Sequence, residues 1–185
     1  MLIVRCTAKL LGRLKARPGP APAQSTTRLG DWYATILPLR PSHLVLLVSE
    51  STRLPVVLPA REISTLAQRI PDAIVHALRE LGIDPGVIEE EREAMTEIAY
   101  ARTASRSVLG TMNEFILHLG LMRDAQPAMT EHAMGLELGR VLVTVPSHGY
   151  KQPAEFTAQT LQAPARPPAS ACHARPEEAT DEELR

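Results

Sequence analysis

Three stretches decide the fold: Trp32-Tyr33-Ala34-Thr35-Ile36-Leu37, Leu44-Val45-Leu46-Leu47-Val48 and Leu54-Pro55-Val56-Val57-Leu58. Each is a short apolar run bounded by turn residues, the length and setting of a strand. Pro38 and Pro41 bracket the first connection, and Glu50, Ser51 and Thr52 form a tight polar second one, so the chain is expected to double back twice as an antiparallel meander. Pro55 has no amide hydrogen to give to a ladder and places the third strand at an edge or delays its start.

Toward the N-terminus, Leu2 to Arg5 reads as a strand. Thr7 is placed to cap a helix carrying Leu10, Leu11 and Leu14 on one side. About residues 17–27, proline, alanine and glycine without periodicity predict an exposed loop. Toward the C-terminus, Arg61 to Leu81 has apolar residues at helical spacing closed by Gly82, with Pro71 expected to kink this helix or start a second. The acidic run Glu89-Glu90-Glu91 after Pro85 suits the first turns of a short helix. Thr96 to Thr103 alternates like a strand, Ser107 to Met122 is the most amphipathic segment, and Glu131 to Val143 reads as a last helix ended by Pro146 and Gly149. The fold class is therefore α+β: a small mixed or antiparallel sheet packed against three to four helices. Residues 1–160 are expected to form one compact domain, ordered to about Gln159. Residues 161–185, rich in proline, alanine, arginine and glutamate, read as a disordered tail because they bury too little to offset their ordering entropy.

Composition narrows function. Twenty basic residues face 21 acidic ones for a net charge of -1, so the chain has no overall attraction for a nucleic-acid backbone or an anionic membrane. Aromatic residues make up 3% of the chain, leaving few rings for stacking bases. No apolar run approaches the roughly 20 residues that span a bilayer. The N-terminus has no signal-peptide pattern, and Cys6 and Cys172 lie at opposite ends, so a reducing cytoplasm without a structural disulfide is expected. A protein partner is favoured over nucleic acid, and no membrane association is expected.

The blocks Cys6-Thr7-Ala8-Lys9-Leu10-Leu11, Leu29-Gly30-Asp31-Trp32-Tyr33 and Arg102-Thr103-Ala104-Ser105-Arg106-Ser107-Val108-Leu109-Gly110-Thr111-Met112-Asn113-Glu114-Phe115 together resemble an uncharacterised bacterial family, a domain of unknown function. The resemblance runs over roughly residues 1 to 155, with a weaker part at Leu138 to Tyr150, and leaves the tail outside. It departs from the family pattern in the meander and in an expanded loop from Pro18 to Ala23. The resemblance implies no particular activity, substrate or catalytic residue.

The junction Arg102, Thr103, Ser105, Arg106 and Ser107 brings hydroxyls and guanidinium forks to a helix N-terminus, a setting that favours phosphate or carboxylate. Asn113 and Gly110 share a helix face with Arg106, the glycine leaving room for close approach. The plainer reading has Ser105 or Ser107 capping the helix, the arginines solvated, and Gly110 making space for a strand. Asp31, Trp32 and Tyr33 are candidates for a pocket wall, with a core anchor as the competing role for Trp32. Cys6, beside Arg5 and a helix start, is a candidate thiolate or simply a small buried side chain. His43, His76, His118, His132 and His148 show no metal-binding spacing, and Cys172-His173 offers only two ligands, so neither metal nor cofactor is expected. The leading expectation is a non-enzymatic interaction or regulatory module using the meander edge and the helix from Ser107. The alternative is a nucleotide- or nucleic-acid-linked enzyme or binder with phosphate at Arg102 to Ser107. A thiol-dependent enzyme at Cys6 is a third reading.

Overall fold

A computed structural model describes residues 1–19, 25–40 and 42–163. Strands β1 (Leu2–Cys6), β2 (Trp32–Leu37), β3 (Leu44–Ser49), β4 (Pro55–Pro59) and β5 (Ile98–Arg102) form one sheet in the order β4-β3-β2-β1-β5. The meander is antiparallel, pairing Tyr33 with Val48 and Leu46 with Val57. β1 runs parallel to both neighbours, with Val4 opposite Trp32 on one side and Tyr100 on the other. The sheet is therefore mixed. β4 lies at its edge, where Pro55 costs no ladder bond.

Helices cover both faces. Leu2, Val4, Cys6, Trp32, Ala34, Val45 and Leu47 point to one face and meet Leu10 of α1 (Ala8–Leu14), Ile70 and Ile74 of α2 (Leu66–Glu80) and Ile88 of α3 (Pro85–Ala94). Tyr33, Leu46, Val48 and Val57 point to the other. There they pack against Val108, Met112 and Phe115 of α4 (Arg106–Ala125) and Met134 and Leu138 of α5 (Glu131–Leu138). Burial on both faces explains why β3 reads as an unbroken apolar run instead of an alternating one.

Among the described residues six α-helices form; three to four were expected to pack on the sheet, and five segments carried a helical pattern. The unforeseen one is α6 (Pro153–Gln162), which carries Leu161 into the first core layer and donates from Thr157 Oγ1 to Thr52 Oγ1 at 2.8 Å. The order expected to end near Gln159 thus reaches Leu161, while 164–185 of the expected tail lie outside the described residues. The helix expected to continue to Val143 stops at Leu138. Val143–Val145 (β6) instead pairs antiparallel with Gly149–Lys151 (β7), burying Val143 and Val145 and exposing Thr144. That period of two belongs to a strand. Pro71 neither breaks nor restarts α2, which continues through it behind a 3-10 turn at Ile63–Thr65. Packing of Leu66, Ile70, Ile74 and Leu78 holds the helix together across the lost hydrogen bond. Of the expected loop at 17–27, residues 20–24 lie outside the described residues. Thr26 is tied down by the N-terminal ammonium, which also donates to Ala94 O at 2.6 Å.

Candidate anion-binding site

From β1 the chain crosses through α1 to β2 on one side, and after the meander and two helices it returns to β5 on the other. Beyond the paired carboxyl ends of β1 and β5 the chain departs to opposite faces, to α1 on one and α4 on the other, the place where open sheets leave a crevice. A cleft of about 640 Å³ opens there, over Cys6 and Leu11, with Lys15, Arg17, Arg102 and Thr103 around it. Its volume suits a small molecule.

Local sequence shapes this cleft. α1 is closed by a Schellman turn, Lys15 N donating to Gly12 O and Ala16 N to Leu11 O, with Lys15 in the left-handed region at φ 53°. A lysine there costs about 1–2 kcal/mol relative to glycine. The turn sends Ala16 to Pro18 along the cleft rim. Thr7 occupies the N-cap position of α1 but makes no side-chain cap; its hydroxyl pairs with that of Thr35 at 3.1 Å. Arg102 is the register partner of Cys6, so strand alternation puts its side chain on the α1 face. Among the described residues, none of Lys15, Arg17 and Arg102 has a carboxylate within 4.0 Å.

The junction residues separate into two groups. Arg102 and Thr103 line the cleft. Ser105 caps α4, its hydroxyl accepting from Val108 N, while its amide donates to Tyr33 Oη at 3.0 Å. Ser107 Oγ accepts from Arg53 Nη2 at 3.2 Å. Arg53, in the left-handed region at φ 64° and 2% exposed, also donates to Glu50 O, so these serines fasten α4 to the turn between β3 and β4. Arg106 and Asn113 are exposed on α4. Among the described residues a Cβ added at Gly110 would meet nothing within 4 Å, so none of them requires that glycine.

Asp31, Trp32 and Tyr33 also part company. Trp32 is fully enclosed in the core, and among the described residues its Nε1 has no hydrogen-bond partner. Tyr33, on the opposite face, donates to Glu50 Oε1 at 3.2 Å. Asp31 accepts from Arg5 Nε at 2.5 Å. Burial alone would lower the Arg5 pKa, but the hydrogen bond and charge of Asp31 raise it above its ordinary value. Cys6 is buried, which pushes its thiol up to about 12, the reverse of what a thiolate nucleophile needs.

Metal binding was not expected from histidine spacing, yet the fold gathers His76, Glu80 and His132 with ligand atoms within 4.8 Å of one another. Spacing along the chain misses this group because His132 comes from α5 while the other two come from α2. The helix periodicity that aligns His76 with Glu80 was legible; the docking of α5 was not.

No helix among the described residues is long and apolar enough to cross a membrane. No curated protein and no solved structure matches the chain. One family model does, the domain of unknown function DUF6933, over residues 3–156, and it spans the sheet, the cleft and α1 through α5. The chain belongs to the DUF6933 family.

Proposed function

We propose that the protein binds a small anionic molecule, carrying phosphate or carboxylate groups, in the cleft at the carboxyl ends of β1 and β5. The observation that carries this reading is the convergence of Lys15, Arg17 and Arg102, without acidic partners among the described residues, on one concave site. Like charges in a concavity repel one another, and an anion relieves that repulsion while gaining charge-assisted hydrogen bonds. Leu11 and Ala16 supply an apolar wall for the remainder of the ligand. Polymeric nucleic acid is a poorer fit, given the net charge of -1 and a single tryptophan that is enclosed in the core.

Thermal shift and calorimetry against nucleotides, sugar phosphates and dicarboxylates test the reading. A ligand should stabilise the wild type and lose at least about tenfold in affinity in Arg102→Ala, a change of about 1.4 kcal/mol. Arg106→Ala, outside the cleft, should bind like wild type. Absence of stabilisation at millimolar ligand across the panel, or equal loss in both variants, overturns it.

An interaction module is the second reading, favoured by Leu117 and Leu121, one turn apart on the outer side of α4 and 71% and 67% exposed. Part of the meander edge is taken up by α5, which lies close against β4: a Cβ at Gly135 would lie 3.4 Å from Val57 N. The partner would be a protein presenting an apolar helix. Co-purification of such a partner with the wild type and its loss with Leu117→Ser/Leu121→Ser supports this reading, and identical recoveries refute it.

A further inference from the structure

His76 and Glu80 stand one turn apart on α2, so both side chains project from the same face of that helix. His132, on the first turn of α5, stacks on His76 with ring centroids 3.8 Å apart and planes 19° from parallel. The nitrogen and oxygen ligand atoms of the three side chains lie within 4.8 Å of one another. Among the described residues His132 Nε2, which is buried, has no hydrogen-bond partner, although a ring nitrogen of that kind ordinarily finds one. The apolar core contacts of both helices are made by other residues, among them Ile70, Ile74 and Leu78 of α2 and Met134 and Leu138 of α5.

We propose that His76, Glu80 and His132 form a binding site for a divalent transition-metal ion, with Zn²⁺ as the reference ion. Two imidazoles and a carboxylate are a donor set that suits Zn²⁺, Co²⁺, Ni²⁺ and Cu²⁺ over the hard ions Mg²⁺ and Ca²⁺. Both helices are held independently of the site. α2 is anchored by Ile70, Ile74 and Leu78; α5 is anchored by Gly135 against β4 and capped by Thr130 Oγ1 accepting from Ala133 N at 3.2 Å. The ligands are thereby brought near one another before any ion arrives, which lowers the ordering cost of binding. Metal–nitrogen bonds of about 2.0–2.1 Å require donors within roughly 4 Å of each other. Nearly parallel rings do not aim their lone pairs at one point, so metal binding requires a ring to rotate, and His76 is the more exposed of the two.

Three protein ligands leave a fourth position for water or an exchangeable donor, the arrangement of open zinc sites. A cleft of about 360 Å³ adjoins the group, walled by Val57, Leu58 and Ala73 with Arg69 and Asp72 at its polar side. This cleft, bordered by His76 and His132, offers room for such a donor beside the apolar wall of the edge strand, and it is lined by different residues from the anion cleft. The two sites stand or fall separately.

Calorimetric titration of the full chain with Zn²⁺ alone, and of the same chain with Co²⁺ followed by visible absorption, tests the site. One ion per chain is expected, with the intense bands of four-coordinate cobalt. His76→Ala, which removes an exposed ring, should retain the wild-type melting temperature without metal and lose at least tenfold in Zn²⁺ affinity. Glu80→Gln should weaken binding in the same direction, and His132→Gln should abolish the cobalt bands. Failure to bind at millimolar Zn²⁺, or binding unchanged in His76→Ala/Glu80→Gln, overturns the proposal; the latter result assigns the ion to other residues, with Cys172-His173 the first to examine.

Discussion

Cys6 and Arg102 are register partners at the ends of the parallel strands β1 and β5, the thiol beneath the cleft and the arginine at its rim. Burial raises the thiol to about 12, so almost none is ionised at neutral pH. In a Cys172→Ser background, Cys6 should resist iodoacetamide at neutral pH until urea is added. Native labelling at the rate of a free thiol would contradict its enclosure.

Arg5 and Asp31 join β1 to the start of β2 through a 2.5 Å ion pair, with side chains 19% and 8% exposed. Removing the cation leaves a carboxylate buried without its partner. Arg5→Met should cost about 2–3 kcal/mol, below the range for a fully buried pair because solvent reaches the arginine. The double variant Arg5→Met/Asp31→Leu should recover most of that loss. Urea unfolding measures both, and additive losses would show the pair to be uncoupled.

Glu91 is 2% exposed, and its Oε1 accepts from Arg28 N at 2.7 Å while Oε2 has no partner among the described residues. Burial raises its pKa above the ordinary 4.5, against the opposing pull of the Arg28 amide. The folded state then holds the proton more tightly than the unfolded state does. Ionised Glu91 consequently costs stability above its raised pKa, and the cost fades as pH falls toward 4.5. Glu91→Gln should be more stable than wild type at pH 7, with the gap narrowing on acidification. A gap independent of pH would assign the effect to packing.

Two helical glycines should respond in opposite directions. Gly110 on α4 is exposed with open space around it, so Gly110→Ala should stabilise by about 0.5–1 kcal/mol through helix propensity. Gly135 on α5 lies against the β4 backbone, with Val57 N and Pro55 O at 3.4 and 3.6 Å from where a Cβ would sit. Gly135→Val should destabilise by about 1–3 kcal/mol by driving the helix off the strand. Melting temperatures decide both, and a neutral Gly135→Val would mean that α5 moves freely.

The strands and most helices were legible because their signals are local. The Leu44 to Val48 run, the spacing of Val108, Met112 and Phe115, and Gly82 behind α2 each declare an element without reference to the rest of the chain. Where two local signals competed, the longer one misled: Met134, Leu138, Val141 and Leu142 suggested a helix through residues that form β6. α6 was hidden for another reason. Its anchors Thr157 and Leu161 are few, and they become meaningful only once Thr52 and the first core layer are there to receive them.

Site residues followed the same division. Arg102 was identifiable from its place at a strand end, but its neighbours Lys15 and Arg17 were not, because their convergence depends on β5 pairing with β1. Ser105 and Ser107 read equally as ligand donors or helix caps, and only the fold brings Tyr33 of β2 to the Ser105 amide and Arg53 of the β3–β4 turn to Ser107.

By itself the sequence determined an α+β chain with a three-stranded meander, an apolar stripe on α4 and near-neutral charge, all consequences of periodicity and composition acting over a few residues. Tertiary structure alone decided that β5 returns to the far side of β1, that Cys6 is sealed beneath Arg102, and that His132 stacks on His76. Those relationships join residues far apart in the chain. They arise from burying both faces of the sheet at once, a condition that no single segment carries.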